Sequence, residues 1–275
     1  MDKIGKIGFI GAGKMGSALI GGVLKAGLVK SAEIFFSETS EQAGKRCREK
    51  FGVVEVSAEE LAAECRVVIL CVKPPVVAPV IRQIGSVLNS DNLVVSVAAG
   101  VTTRALEAEL APGVPVVRAM PNIAATVAAS ATAIAAGAAA NRKHIELARK
   151  ILASVGLVVE LPEKLLDAVT GLSGSGPAYV FLFAEALISG ALKVGLPYPE
   201  AWALAVQTLK GAAAMLEADP GSHPATLREK VTTPGGTTIA ALHELEQKGF
   251  RDAVTSAVEA ATRRSGELGG GGKND

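Results

Sequence analysis

The chain has 275 residues, of which 49% are hydrophobic and 20% are charged, so it can bury a large core and is not expected to be disordered. Its formal net charge is +1, which leaves no excess of basic residues to neutralise the phosphates of a nucleic acid. Aromatic residues make up only 4%, too few for a surface that stacks bases. We therefore expect a folded protein of one large or two smaller domains that does not bind nucleic acid.

The three cysteines, Cys47, Cys65 and Cys71, indicate a protein of a reducing compartment. Their number is odd and no two of them form a CxxC pair, which argues against a disulfide framework and a cysteine-based zinc site. The sequence shows no other cluster of metal-ligating residues, so we expect no metal. Because the N-terminal residues run straight into a predicted strand without a signal or transit peptide, we expect a cytoplasmic protein.

The first part of the chain alternates short apolar runs with helical patterns. Strands are predicted at residues 6–11, 33–38, 67–72, 93–99, 115–122 and 131–137. Helices are predicted between them at residues 14–27, 40–50 and 102–110. Continuous apolar runs separated by helices are typical of parallel strands that are buried on both faces. We therefore predict an α/β protein whose N-terminal domain contains a doubly wound, Rossmann-type sheet.

After about residue 163 the strand patterns stop, and helical segments punctuated by Gly and Pro follow. We predict a dinucleotide-binding domain at residues 1–162, an all-helical C-terminal dimerisation domain at residues 163–268, and a disordered tail at residues 269–275. The stretch 176–196 is apolar nearly all round, but it carries Glu185 and Lys193, which would be costly inside a membrane. We interpret it as a helix buried against a second subunit, with burial inside a single-chain bundle as the alternative.

Residues 11–16, with the sequence GAGKMG, follow a predicted strand and open a predicted helix. In this context the glycine pattern indicates a dinucleotide-binding loop, and the alternative is a structural turn that binds nothing. Gly11 permits the tight turn, Gly13 lets the backbone approach the pyrophosphate, and Gly16 lets the helix pack against the strand. Free N–H groups at the start of the helix attract the phosphates. The residues assigned to the cofactor here are Ile10, Gly11, Ala12, Gly13, Lys14 and Met15.

The end of the second strand indicates which cofactor is used. An NAD enzyme places an acidic residue there, whereas an NADP enzyme places hydroxyl or cationic side chains there. Ser37 is the predicted residue at the strand tip and Thr39 and Ser40 follow it, which favours the 2′-phosphate of NADPH. Glu38 counts against NADPH if its side chain points inward. We predict NADPH as the preferred cofactor, with NADH also accepted, and assign Ser37 and Thr39 to the cofactor site.

Two further strand ends provide candidate cofactor contacts, because ligands of doubly wound sheets bind beyond the carboxyl ends of the strands. Small residues there would let the nicotinamide half lie against the backbone. Lys73 is long enough to reach the ribose or the substrate, although it is equally consistent with an ordinary surface lysine. The residues assigned to the cofactor from these ends are Cys71, Val72, Lys73, Pro74, Ala98 and Ala99.

Two segments of the C-terminal part resemble the pyrroline-5-carboxylate reductase family: DAVTGLSGSGPAY at 167–179 and VTTPGGTTIAALHELEQKGFR at 231–251. The resemblance extends over essentially the whole chain. It implies an enzyme that uses NAD(P)H to reduce 1-pyrroline-5-carboxylate to L-proline, the last step of proline biosynthesis. It also implies a homodimer interlocked through the helical domain, with five such dimers often joined in a ring-shaped decamer.

This resemblance gives the segment 232–238 a role in binding the substrate carboxylate. Free N–H groups and hydroxyls at the start of a helix form an anion site without a cation. Thr238 is also the catalytic candidate, because a hydrogen-bonding group near the imine nitrogen would assist reduction, and a protonated imine needs no strong acid. The alternative is that the loop is only an elaborate N-cap, and His243 is interpreted as helix surface or packing. The residues assigned to the substrate are Thr233, Gly236, Thr237 and Thr238.

Two other functions compete with this interpretation. β-Hydroxyacid dehydrogenases resemble the chain in its opening motif and in GSG at 174–176, but they carry a catalytic Lys four residues after the second Gly and an Asn four residues beyond. Those positions are Val180 and Ala184 here, so such an enzyme would lack its base. The other alternative is a catalytically inactive NADP-binding sensor, against which the intact substrate loop argues and which a steady-state assay would distinguish.

Overall fold

The computed structural model describes residues 4–269 of the chain, which fall into two compact units. The first unit runs to Ser175 and also includes the chain from Glu259 onward, and the second unit is Gly176–Val258. The predicted domain boundary at residues 162 and 163 stays a prediction. Of the predicted disordered tail, residues 270–275 lie outside the described residues.

The first unit is built on an eight-stranded sheet in the order β3-β2-β1-β4-β5-β6-β7-β8. The strands are β1 Ile7–Ile10, β2 Ile34–Ser37, β3 Val54–Glu55, β4 Val67–Leu70, β5 Leu93–Ser96, β6 Val116–Met120, β7 Ser130–Ala136 and β8 Gly156–Glu160. The chain order reverses at β1, which pairs with both β2 and β4, so the predicted doubly wound, Rossmann-type sheet is confirmed.

The last two strands run against the other six, which the sequence pattern did not predict. Strand β7 pairs antiparallel with β6, and β8 pairs parallel with β7. Only residues 121–129 separate β6 from β7, and they contain a short 3-10 turn, Ile123–Val127. A parallel crossover needs a dozen or more residues, usually with a helix, so this connection permits only an antiparallel return.

Helices cover both faces of this sheet. Those of the first unit are α1 Lys14–Lys25, α2 Glu41–Phe51, α3 Ala58–Glu64, α4 Pro74–Ile84, α5 Thr103–Glu107, α6 Arg142–Leu152 and α7 Leu166–Val169. Alternate residues of β4 belong to two separate apolar clusters: Val67 and Ile69 to one, Val68 and Leu70 to the other. A strand that is apolar at every position is thus buried on both faces, as predicted from the run at 67–72.

The second unit is helical. It contains α8 Gly176–Lys193, α9 Tyr198–Ala218, α10 Pro224–Lys230, α11 Thr237–Gln247 and the part of α12 Phe250–Leu268 that precedes Glu259. A turn of π-helix at Thr170–Gly174 joins α7 to α8. The stretch Glu163–Lys193 is long and apolar enough to cross a membrane, judged by length and composition alone, and little of it is buried within the chain.

Candidate functional site

The glycine loop connects β1 to α1. A Cβ atom at Gly16 would overlap the carbonyl oxygen of Gly11, so only glycine lets the first turn of α1 lie against the loop. Gly13 is the N-cap of α1, and no side chain of the described residues caps it. Nothing lies within 4 Å of the point where a side chain of Gly13 would begin. The loop therefore offers uncapped N–H groups and open space to an anionic group, which fits a dinucleotide pyrophosphate.

A cavity of about 500 Å³ opens at the carboxyl ends of β1, β2 and β4, where the strand order reverses. Ligands of doubly wound sheets bind at this kind of position. The cavity brings together eight of the residues that the sequence assigned to the cofactor: Ile10, Gly11, Gly13, Ser37, Thr39, Cys71, Val72 and Lys73.

The remaining predicted cofactor residues lie elsewhere. Ala12 and Lys14 line an adjoining cavity of about 310 Å³ beside α1 and α2, which Gly13 also lines. The other four line neither cavity: Met15 packs against the core, Pro74 begins α4, Ala98 is buried beyond β5, and Ala99 is half-buried.

Glu38 lies at the tip of β2 and turns its carboxylate towards the glycine loop. Its Oε2 accepts a hydrogen bond from the N–H of Ala12 at 2.8 Å, and its Oε1 accepts one from the N–H of Ser40 at 2.9 Å. The hydroxyl of Thr39 is 3.5 Å from the same Oε1. The hydroxyl of Ser40 caps α2 by accepting from the N–H of Ala43 at 3.4 Å. Two of the three hydroxyls that favoured a 2′-phosphate therefore have local partners.

The threonine–glycine loop lies in the second unit and leads into α11. Gly236 is the N-cap of α11, and no side chain in the described part of the chain caps this helix. A Cβ atom at Gly236 would overlap the hydroxyl oxygen of Thr233, so these two residues can approach only because residue 236 is glycine. No threonine hydroxyl of the loop caps α11, so the N–H groups of its first turn are available to an anion.

A cavity of about 730 Å³ lies on one side of this loop. Gly236 is the only predicted substrate residue that lines it, and Thr233, Thr237 and Thr238 do not. His243 lines the cavity, is exposed, and its Nε2 lies 2.8 Å from Nε2 of Gln247 one helical turn further along. Its place on the surface of α11 agrees with the interpretation made from the sequence.

Known proteins match the chain over nearly its whole length. Residues 163–268 match the family described as pyrroline-5-carboxylate reductase dimerisation, and residues 6–100 match the family described as NADP oxidoreductase, coenzyme F420-dependent. The pyrroline-5-carboxylate reductase of Methanosarcina acetivorans is 45% identical over 265 residues, which is 96% of this chain and 98% of that protein. This chain belongs to the pyrroline-5-carboxylate reductase family. Pyrroline-5-carboxylate reductase 3 of Xenopus laevis is 39% identical over 96% of each chain.

Solved structures of the same family share its fold. A pyrroline-5-carboxylate reductase from Coxiella burnetii superposes with a TM-score of 0.89 at 35% identity, over 96% of this chain and 98% of that one. The Plasmodium falciparum pyrroline carboxylate reductase, solved with NADP bound, gives a TM-score of 0.88 at 31% identity, over 98% of this chain and 100% of that one. Family membership therefore favours the reductase over the β-hydroxyacid dehydrogenase alternative.

The cavity of about 500 Å³ also contains polar residues that sequence reasoning missed. Ser57, Glu59 and Gln83 all line it, and Glu59 accepts a hydrogen bond from Nε2 of Gln83 at 2.8 Å. This hydrogen bond lowers the pKa of Glu59. Ser57 and Glu60 form a capping box at the start of α3, so the S-x-x-E pattern at 57–60 was a signal for this helix in the sequence.

A buried charge cluster also escaped the sequence analysis. The Arg118 side chain on β6 is only 4% exposed and lies 3.4 Å from carboxylate oxygens of both Glu163 and Asp167. Glu163 in turn accepts hydrogen bonds from the N–H and the hydroxyl of Thr103, and Asp167 accepts one from the hydroxyl of Ser265. The signal for this cluster was a lone arginine inside an otherwise apolar strand.

Two further observations bear on the chemistry of the site. Burial raises the pKa of the Cys71 thiol to about 12, so this thiol stays protonated at neutral pH and contributes small apolar volume at the end of β4. Across residues 4–269, no group of three or more His, Cys, Asp or Glu side chains is placed to hold a metal ion.

Proposed function

We propose that this chain catalyses the NAD(P)H-dependent reduction of 1-pyrroline-5-carboxylate to L-proline, the final step of proline biosynthesis. The observation that carries the proposal is identity of 39–45% over nearly the whole chain to proteins named as pyrroline-5-carboxylate reductases. Both loops on which the reaction would depend are intact, and each ends at the uncapped start of a helix.

The cofactor in this proposal is NADPH, with NADH as a second donor. The NADP bound to the Plasmodium falciparum relative supports this choice. When bound, the cofactor supplies the hydride. The glycine loop would hold the pyrophosphate, the tip of β2 the adenosine ribose, and the ends of β4 and β5 the nicotinamide half. The proposed contacts are Ile10, Gly11, Ala12, Gly13, Lys14, Met15, Ser37, Thr39, Cys71, Val72, Lys73, Pro74, Ala98 and Ala99.

The substrate in this proposal binds to the loop that begins α11. The uncapped N–H groups of the first helical turn would hold its carboxylate, because partial positive charge accumulates at a helix N-terminus. The proposed substrate residues are Thr233, Gly236, Thr237 and Thr238. Thr238 is half-buried. Its hydroxyl would form a hydrogen bond with the imine nitrogen of the substrate, and this contact makes Thr238 the proposed catalytic residue. A hydroxyl is sufficient when the imine arrives already protonated.

The assembly in this proposal is a homodimer formed through a dimerisation domain at residues 163–268, with a dinucleotide-binding domain at residues 1–162. The family match to a dimerisation domain over 163–268 supports the dimer. A ring of five dimers, a decamer, and a cytoplasmic location complete the proposal.

A coupled assay tests this function. Purified protein should oxidise NADPH only when 1-pyrroline-5-carboxylate is present and should release L-proline in equal amounts, with NADPH giving a higher kcat/KM than NADH. Tight binding of NADPH without formation of proline would indicate the inactive sensor instead. A higher kcat/KM with NADH would leave the reaction in place but overturn the predicted cofactor preference.

A further inference from the structure

We propose that a basic groove beside α1 and α2 binds a small compound in which a phosphate group is attached to an uncharged, apolar body. The groove consists of two cavities, of about 310 and about 300 Å³, which Ser17, Ala18, Lys50 and Thr126 line together. Of its described lining residues, only Gly13 also lines the cavity at the carboxyl ends of β1, β2 and β4. The groove is therefore a second site, and the proposal does not rest on the proposed reaction.

The charges that line the groove are all positive. Lys14, Arg46 and Lys50 line the first cavity, and Lys25 lines the second. Among the described lining residues of both cavities there is no aspartate or glutamate. A phosphate carries negative charge, and its oxygens accept strong hydrogen bonds from lysine and arginine side chains. The first cavity therefore fits a phosphate group.

The basic residues of α2 differ in whether they have acidic partners. Lys45 lies 3.8 Å from Glu49, and Arg48 is paired with two carboxylates of the same unit. Arg46 and Lys50 lie one helical turn apart and line the groove, and neither forms an ion pair with a described carboxylate. The positive charge of the groove is thus not neutralised by the chain itself, and a bound anion could neutralise it.

Lys14 places a further cation at an unfavourable position of α1. It is the first residue of this helix, where the partial charge of the helix is positive. The first turn of α1 contains no acidic residue, and no described side chain caps it. Lys14 lines the groove and is not a lining residue of the cavity at the strand ends. A phosphate in the groove would offset this unfavourable charge.

The second cavity is lined mainly by small and apolar residues. They include Gly21, Phe51, Val127 and Val155, and Val127 is 74% exposed. A Cβ atom at Gly21 would lie 3.1 Å from the ring of Phe51, so the ring packs closely against the backbone of α1. An apolar group bound here would cover exposed apolar surface, whereas a second phosphate would meet only Lys25. The groove therefore fits one phosphate on an apolar body better than an inorganic polyphosphate.

Phenyl phosphate is the probe for this site because it carries both parts and lacks the adenosine of a dinucleotide. Its dissociation constant and that of inorganic phosphate should be measured by titration calorimetry on the whole chain. We expect phenyl phosphate to bind more tightly than inorganic phosphate. Arg46→Gln should weaken the binding of phenyl phosphate by about tenfold, the effect of losing one charged hydrogen-bond partner.

Lys45→Gln is the matched control for Arg46→Gln. It removes the same charge from the neighbouring residue of α2, but Lys45 does not line the groove, so the dissociation constant should stay nearly unchanged. Equal weakening in the two variants would overturn the proposal, because general attraction to a positive surface would then explain the binding. Failure of phenyl phosphate to bind the unmodified protein would also overturn it.

A titration with NADP⁺ present at saturation separates the groove from the proposed cofactor cavity. Phenyl phosphate should still bind to the loaded protein, and Arg46→Gln should still weaken its binding. Loss of binding on loading would overturn the proposal, because the probe would then have occupied the place of the cofactor pyrophosphate. Direct titration of NADP⁺ shows whether the cofactor cavity is filled, so failure of the proposed cofactor binding and failure of this proposal can be distinguished.

Discussion

The two compact units differ in how completely each buries its own apolar side chains. The first unit packs two clusters of fully or nearly fully buried residues against the two faces of its sheet. The cluster of buried residues in the helical unit contains only Ile188, Ala201 and Ala205. On the helices around it, Phe181 is 66% exposed and Leu182 is 68% exposed. The first unit therefore closes a core within one chain, whereas the second presents an apolar surface of the kind that forms an interface, which agrees with its match to a dimerisation domain.

The two units also share a feature at the start of one helix. Helix α1 and helix α11 each begin at a glycine N-cap without a side-chain cap in the described structure. The first lies at the strand ends of a rigid sheet, and the second lies in a helical unit with a sparse core. The start of α1 is therefore supported by a buried core of its own unit, whereas the start of α11 has few buried residues of its own unit behind it.

The largest expected effect comes from placing a charge on the apolar surface of α8. Phe181→Asp should convert the proposed dimer to monomers and abolish activity, because an unpaired carboxylate in an apolar interface costs several kcal/mol. Sedimentation at working concentration measures the oligomer directly. Val127→Asp is the control, since Val127 is 74% exposed on the first unit and should leave the dimer intact. A fully active Phe181→Asp dimer would show that this surface is not an interface.

A smaller effect is expected inside the first unit. Arg118→Ala would leave the carboxylates of Glu163 and Asp167 without their shared cation. We expect the free energy of unfolding to fall by about 2–3 kcal/mol. This is less than the loss for a fully buried ion pair, because both carboxylates are partly exposed to water. Urea unfolding followed by circular dichroism, at fixed protein concentration, checks this value.

The exposed pair of Arg82 and Glu109 provides the control for that measurement. Arg82 is 58% exposed and lies 3.5 Å from Glu109, so Arg82→Ala should change the free energy of unfolding by less than about 0.5 kcal/mol. Equal losses in the two variants would mean that burial of Arg118 adds nothing to the stability of the sheet.

The smallest expected effect concerns the proposed substrate loop. Thr238→Ala removes one hydroxyl and keeps the N–H groups of α11, so kcat/KM should fall by the value of one hydrogen bond, about 1–3 kcal/mol or about 5- to 150-fold. A fall in kcat as well as a rise in KM would show that the hydroxyl acts in the transition state. Thr238→Val should behave in the same way, and the dissociation constant of NADPH should not change.

Thr232 provides the control within the same loop. Its hydroxyl donates to the carbonyl oxygen of Arg228 at 2.8 Å, so Thr232→Val should alter kcat/KM less than either change at Thr238. Wild-type kinetics in both Thr238 variants would mean that the loop serves only to begin α11, and the substrate site would have to lie elsewhere.

The local pattern of apolar residues in the sequence predicted the strands that are strongly apolar and missed those that are short or half-exposed. The run at 67–72 gave β4, because burial on both faces requires apolar residues at every position. Strand β3 has two residues, and β8 has no buried residue, so neither has a pattern that distinguishes it from a loop. The direction of β7 depends on the length of the connection before it and not on the residues that form it.

The sequence by itself determined where the two glycine loops begin their helices, because a glycine at a strand end and a glycine before a helix act through neighbouring backbone atoms. It also determined the fold class and, through its motifs, the family. Only the tertiary structure decided where the carboxylate of Glu38 points, that Glu59 and Gln83 line the cavity at the ends of β1, β2 and β4, and that Arg118 lies between Glu163 and Asp167. These contacts join segments that are distant along the chain, and strand order and helix packing, which no local pattern encodes, bring them together.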